Sequence, residues 1–78
     1  MAIPPAAVGA MPANVARHEN VMPVNLEGGT LTVAVEDLEN FRLLDRLRFV
    51  CNCRIKAVGA TAIAIRCAVT RYYGPSDD

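Results

Sequence analysis

Between Thr30 and Lys56 the spacing of apolar residues changes twice. Leu31, Val33 and Val35 alternate with Thr30, Thr32 and Ala34, the two-residue period of a strand with unequal faces. From Leu38 the apolar positions Phe41, Leu43, Leu44, Leu47 and Val50 recur every three or four residues, with Glu39, Arg42, Asp45 and Arg46 between them. That period predicts an amphipathic helix. Asp37 stands where an N-cap belongs, and its carboxylate suits both the orphan amides and the positive end of a helix. Asn52 tolerates the left-handed geometry of a helix exit, after which Arg54, Ile55, Lys56, Ala57 and Val58 resume alternation. A strand, a helix and a strand within about 30 residues match a right-handed crossover unit. The two strands are therefore expected to run parallel.

The flanking segments are read as packing on that unit. Val21 to Leu26 has strand character, with Pro23 confining it to an edge or a bulge. Gly28-Gly29 supplies the positive dihedrals of a tight hairpin, so Val21–Leu26 and Thr30–Glu36 should pair antiparallel. Pro12 can start a short helix through Asn14 to His18 that depends on packing Val15 and Ala16 against the sheet. Thr61 offers a hydroxyl cap for a last helix. Ile63, Ile65, Ala68, Val69 and Tyr72 form its apolar side, Arg66 and Arg71 face solvent, and Gly74-Pro75 ends it.

Residues 1–11 combine prolines, a glycine and small apolar side chains without a charge, which reads as an N-terminal arm or linker. Residues 12–74 then form the domain, and residues 75–78 a polar tail. The expected fold is α/β (α+β): a small three-stranded mixed sheet with three short helices, in the order α-β-β-α-β-α.

With 78 residues the chain is one small domain at most, of a size that buries only about 60% of its unfolded surface. Hydrophobic residues make up 53% and aromatic ones 5%, so small aliphatic side chains must build the core. Such a core favours tight helix-on-sheet packing over a large ligand cavity. Eight basic and eight acidic residues cancel, which removes any global pull toward nucleic acid or membrane. Their order is uneven. Glu19, Glu27, Glu36, Asp37 and Glu39 follow one another with no basic residue between them, whereas Arg42, Arg46, Arg48, Arg54, Lys56, Arg66 and Arg71 are interrupted only by Asp45. The basic half is either a solvated face paired internally with the acidic half or a contact patch for an acidic partner or a phosphate. Three cysteines and no signal-peptide pattern point to a reducing compartment. No segment reaches the roughly 18 apolar residues of a membrane span.

Catalytic chemistry finds little footing. A G-x-x-x-x-G-K-[ST] loop is missing, so ATP hydrolysis is not expected of these residues. Cys51, Cys53, Cys67 and His18 are the residues that could suggest zinc. A single residue between Cys51 and Cys53 is poor ligand spacing, and ordinary thiols are expected, with no metal and no cofactor. His18 has no nominated nucleophile to serve. Helix capping accounts for Asp37, and an i,i+3 pair with Arg42 or Arg48 accounts for Asp45. Tyr72-Tyr73 reads as a helix-end anchor rather than a base-stacking platform. What remains is a surface: Arg42, Arg46 and Arg48 as partner contacts, with Arg66 and Arg71 as lesser ones.

Several short motifs, taken in order, carry a resemblance. Met11-Pro12 with Val15-Ala16, Met22-Pro23-Val24, Leu31-Thr32-Val33-Ala34-Val35 with Asp37, Leu44-Asp45-Arg46-Leu47-Arg48-Phe49 and Ala68-Val69 with Arg71-Tyr72-Tyr73-Gly74 resemble the N-terminal domain of type II secretion and type IV pilus assembly ATPases. The family's Asp-Pro appears here as Asp37-Leu38. The upstream repeats with an R-L-G start, which in some members bind cyclic di-GMP, have no counterpart in this sequence. The resemblance implies a non-catalytic docking module ahead of a hexameric ATPase. It implies a protein partner on the inner-membrane platform, a cytoplasmic location peripheral to that membrane, no membrane insertion and no nucleic acid. The alternative is a regulatory sensor that binds a cyclic dinucleotide such as cyclic di-GMP through the same arginines, whose planar forks suit phosphates.

Overall fold

A computed structural model describes residues 3–74. Its elements are α1 (Pro5–Gly9), α2 (Ala13–Glu19), β1 (Met22–Glu27), β2 (Thr30–Val35), α3 (Phe41–Cys51), β3 (Arg54–Gly59) and α4 (Ala62–Tyr73). The order α-β-β-α-β-α holds from α2 onward, and α1 precedes it as a fourth helix. The proposed tail at 75–78 lies outside the described residues.

β2 is the central strand of a sheet ordered β1-β2-β3. Gly28 and Gly29, with φ of 57° and 77°, close the hairpin that pairs β1 antiparallel to β2. Positive dihedrals at both central positions match the twist of the flanking strands. The register slips between Pro23 and Asn25, so proline sits on an edge strand at a bulge, where a missing ladder donor costs least. β3 runs parallel to β2, with Leu31 opposite Ile55 and Val33 opposite Ala57.

Alternation then separates two faces. Leu31, Val33 and Val35 are fully buried beneath the helices. The paired sets Asn25–Thr32–Lys56 and Glu27–Thr30–Arg54 share the other face, which stays polar and open. α4 lies across β1 and β2, α3 against β3, α1 on β1 and α2 on α4. Leu47 from α3 and Ile65 and Val69 from α4 complete the core, a set of small and medium aliphatics as the composition requires.

Three helix details differ from the sequence reading. α3 begins at Phe41 rather than near Leu38, and its cap is Asn40, whose Oδ1 accepts from the Leu43 amide at 3.2 Å. Asp37 accepts from the Glu39 amide at 2.9 Å instead. It therefore shapes the turn before the helix, the local bonding that competes with capping in Asp and Asn. In α4, Thr61 caps as expected, accepting from the Ala64 amide at 3.1 Å. Ile63, however, is 76% exposed. Residues two apart on a helix point about 200° apart, so Ile63 cannot share a face with the buried Ile65.

The larger correction concerns the N-terminal arm expected over residues 1–11. Pro5 opens α1, and Ala7 and Met11 are as buried as any side chain in the core. α4 fastens the segment: Tyr73 Oη lies 2.8 Å from the Val8 carbonyl and 3.1 Å from that of Met11, within donating reach of both. The Ile3 amide donates to Tyr72 Oη at 3.4 Å. A helix this short cannot persist alone, so α1 exists because β1 and the tyrosines receive it.

Burial, with Cys51 as a second cause, pushes the Tyr73 hydroxyl up to about 12 from 10.0. A group whose folded value exceeds its unfolded one holds its proton in the native state while the unfolded chain loses it. Its contribution is complete below the unfolded value and is lost as pH rises toward the folded one. Stability should therefore fall between about pH 10 and pH 12, and Tyr73→Phe should flatten that fall. Urea midpoints across that range for the two proteins provide the check.

Candidate functional site

The outward side of α3 carries the most unusual surface. Phe41 and Phe49, the only phenylalanines in the chain, are 69% and 88% exposed. Their placement follows from helix geometry. Leu47 is the one α3 side chain fully buried, with Leu43, Leu44 and Cys51 packed around it. Phe41 and Phe49, each four residues from Asp45, fall on the opposite side. Sequence periodicity assigned Phe41 to the inward stripe. The structure corrects this, because α3 lies over β3 at the sheet edge and the narrow stripe around Leu47 fills the contact.

The five arginines predicted as contacts occupy four places rather than one patch. Arg42 and Arg48 flank the exposed phenylalanines on α3. Arg48 approaches Asp45 at 3.7 Å, a solvated i,i+3 pair of small energetic weight. Arg46 turns away and pairs with Glu19 at the end of α2, so for this residue the acidic half does neutralise the basic half. Arg71 lies over the Tyr72 ring at 6.0 Å. Arg66 lies elsewhere.

Arg66 lines a cleft of about 490 Å³ between α2 and α4, together with Arg17, His18, Asn20, Glu36 and Thr70. Arg17 had not been singled out, since one arginine in a short helix gives no pattern. Its guanidinium Nη2 donates to the carbonyls of Tyr73 at 2.8 Å and Gly74 at 3.2 Å, satisfying the orphan acceptors at the end of α4. Its buried Nε has no hydrogen-bond partner among the described residues. Asn20, left-handed at φ 54°, donates through Nδ2 to the Ala62 carbonyl at 3.3 Å. The cleft thus presents two guanidinium groups and an imidazole against one carboxylate.

Among the described residues, no cysteine is brought to His18. The cysteines are free, Cys51 and Cys53 half-buried and Cys67 exposed, and none lines the cleft that holds His18. Burial, and secondarily Cys53, pushes the Cys51 thiol up, which keeps it protonated and unreactive at neutral pH. Among the described residues, no three His, Cys, Asp or Glu side chains group to hold a metal, and no helix is long and apolar enough to cross a membrane.

Among the described residues, a three-stranded mixed sheet with four helices, and with charged and aromatic side chains turned outward on α3, defines a small α/β domain. Residues 1–78 match the MshEN domain model, and the chain belongs to that family. It is 38% identical over 77 residues to the type IV pilus assembly ATPase PilB of Myxococcus xanthus (strain DK1622). That match takes in 95% of this chain and 14% of the relative. The fold also matches a solved structure of MshE with cdg, with a TM-score of 0.80 and 22% identity, over 91% of this chain and 52% of that one.

Proposed function

We propose that the chain is a non-catalytic docking module of a type IV pilus or type II secretion assembly ATPase, one that couples the motor to the inner-membrane platform. The observation that carries this reading is the α3 face, where both phenylalanines stand in water beside Arg42 and Arg48. Exposing large aromatic side chains gains a monomer nothing, and aromatic residues with arginine are the composition of interface centres. In this reading the module works at the cytoplasmic side of the membrane, held there by a protein partner. The test is binding of the purified chain to inner-membrane vesicles with and without the assembly platform. Saturable binding that requires the platform is expected; equal binding to both vesicle types overturns the reading.

A second reading, a cyclic dinucleotide sensor, is favoured by one observation. The fold neighbour MshE was solved with cdg, and the α2–α4 cleft offers Arg17, His18 and Arg66 to a phosphate. Of the arginines first nominated for this role, only Arg66 lines the cleft. Calorimetry with cyclic di-GMP should then give saturable binding that Arg66→Ala abolishes. No heat of binding from the wild-type chain would remove this reading.

A further inference from the structure

The α3 face is specific enough to describe what it fits, an inference that rests on the docking reading above. Phe41, Asp45 and Phe49 are spaced four residues apart along the helix. The two rings therefore stand about 12 Å apart along the axis, with the carboxylate between them. Arg42 and Arg48 sit three residues to either side of Asp45, so each phenylalanine has an arginine seven residues, about two turns, away on its own flank. The face is two apolar anchors bracketing a charge cluster of two arginines and one aspartate. Arg46 does not join it, being held by Glu19.

Charge decides between the candidate occupants. A second copy packed antiparallel about Asp45 would bring Phe41 against the other Phe49, which satisfies the rings. It would also set four arginines against two aspartates, with the aspartates facing each other on the symmetry axis. Like charges directly opposed across an interface are destabilising. A partner with acidic residues between its own apolar positions neutralises the surplus and leaves the rings in contact. We infer that the Phe41–Phe49 face of α3 receives an acidic amphipathic helix of a partner protein, with apolar residues two turns apart and carboxylates between them that pair with Arg42 and Arg48. Amphipathic helices that bind partners carry their anchors at this spacing.

The probe is a side-chain-stapled peptide helix with two leucines two turns apart and glutamates between them, labelled for fluorescence anisotropy against the full 78-residue chain. Saturable binding is expected, weakened about tenfold or more by Phe49→Ser. Arg42→Glu combined with Arg48→Glu should abolish it, and a peptide with lysine in place of glutamate should then bind that double variant. Because Phe49 is 88% exposed, Phe49→Ser should melt with the wild type, which separates lost contact from lost fold. No binding of the peptide, or equal binding by Phe49→Ser, overturns the inference. So does a dimer in sedimentation that Phe49→Ser dissociates, since the face would then belong to a second copy. The platform-vesicle experiment reports on the docking reading separately. Peptide binding without vesicle binding defeats the docking reading and keeps the acidic-helix face, whereas vesicle binding that survives both variants defeats the face and keeps docking.

Discussion

Leu47→Ala should lower the unfolding free energy by about 2–5 kcal/mol, the largest effect expected from any single truncation on α3. Leu47 is fully buried and is the only α3 side chain in the core, so the crossover from β2 to β3 rests on it. The lost methyl groups account for part of the cost. The cavity accounts for the rest, because β3, against which α3 packs, cannot collapse into it without breaking the parallel pairing. Small domains have total stabilities of about 5–15 kcal/mol, so much of this one's margin would go. Urea denaturation at neutral pH measures the change. A shift below about 1 kcal/mol would mean that α3 is not anchored where the structure has it.

Met11→Ala is expected to cost about 2–5 kcal/mol as well, and it tests a different part of the fold. Met11 is 2% exposed, just before the helix that the sequence reading took as the start of the domain. Were residues 1–11 a free arm, the substitution would stay within about 0.5 kcal/mol, as surface changes do. The buried side chain and the Tyr73 hydroxyl bonded toward Val8 and Met11 predict the larger value. Tyr73→Phe, measured beside it, should show a smaller loss of about 1–3 kcal/mol from the carbonyls left unpaired. The two losses should not add fully, because both side chains hold the same segment.

The sequence and the structure agree where a local rule acts alone. The double glycine imposed its hairpin because only positive dihedrals close so tight a reversal. Thr61 capped α4 because no competing oxygen stood nearby. Asp37 was read as the cap, yet Asn40 three residues on takes that role, and which residue caps depends on where the chain meets the edge of the sheet. α1 left no trace in periodicity because its residues are nearly all small and apolar. A helix without a polar face has no alternation to read, and burial of Ala7 alone fixes which side of α1 packs inward.

The candidate surfaces follow the same division. That α3 would carry Arg42, Arg46 and Arg48 was legible from apolar spacings of three and four. Which arginine remains available was decided by Glu19, 27 positions away in the chain. The Arg17–His18–Arg66 cleft joins residues from α2 and α4 whose proximity only helix packing creates. Sequence alone determined the elements from α2 onward, their order and the strand directions, since these follow from dihedral preferences and hydrophobic period within a few residues. The tertiary structure decided which side of each helix faces water and which charges neutralise each other, because both depend on contacts between segments that no local pattern encodes.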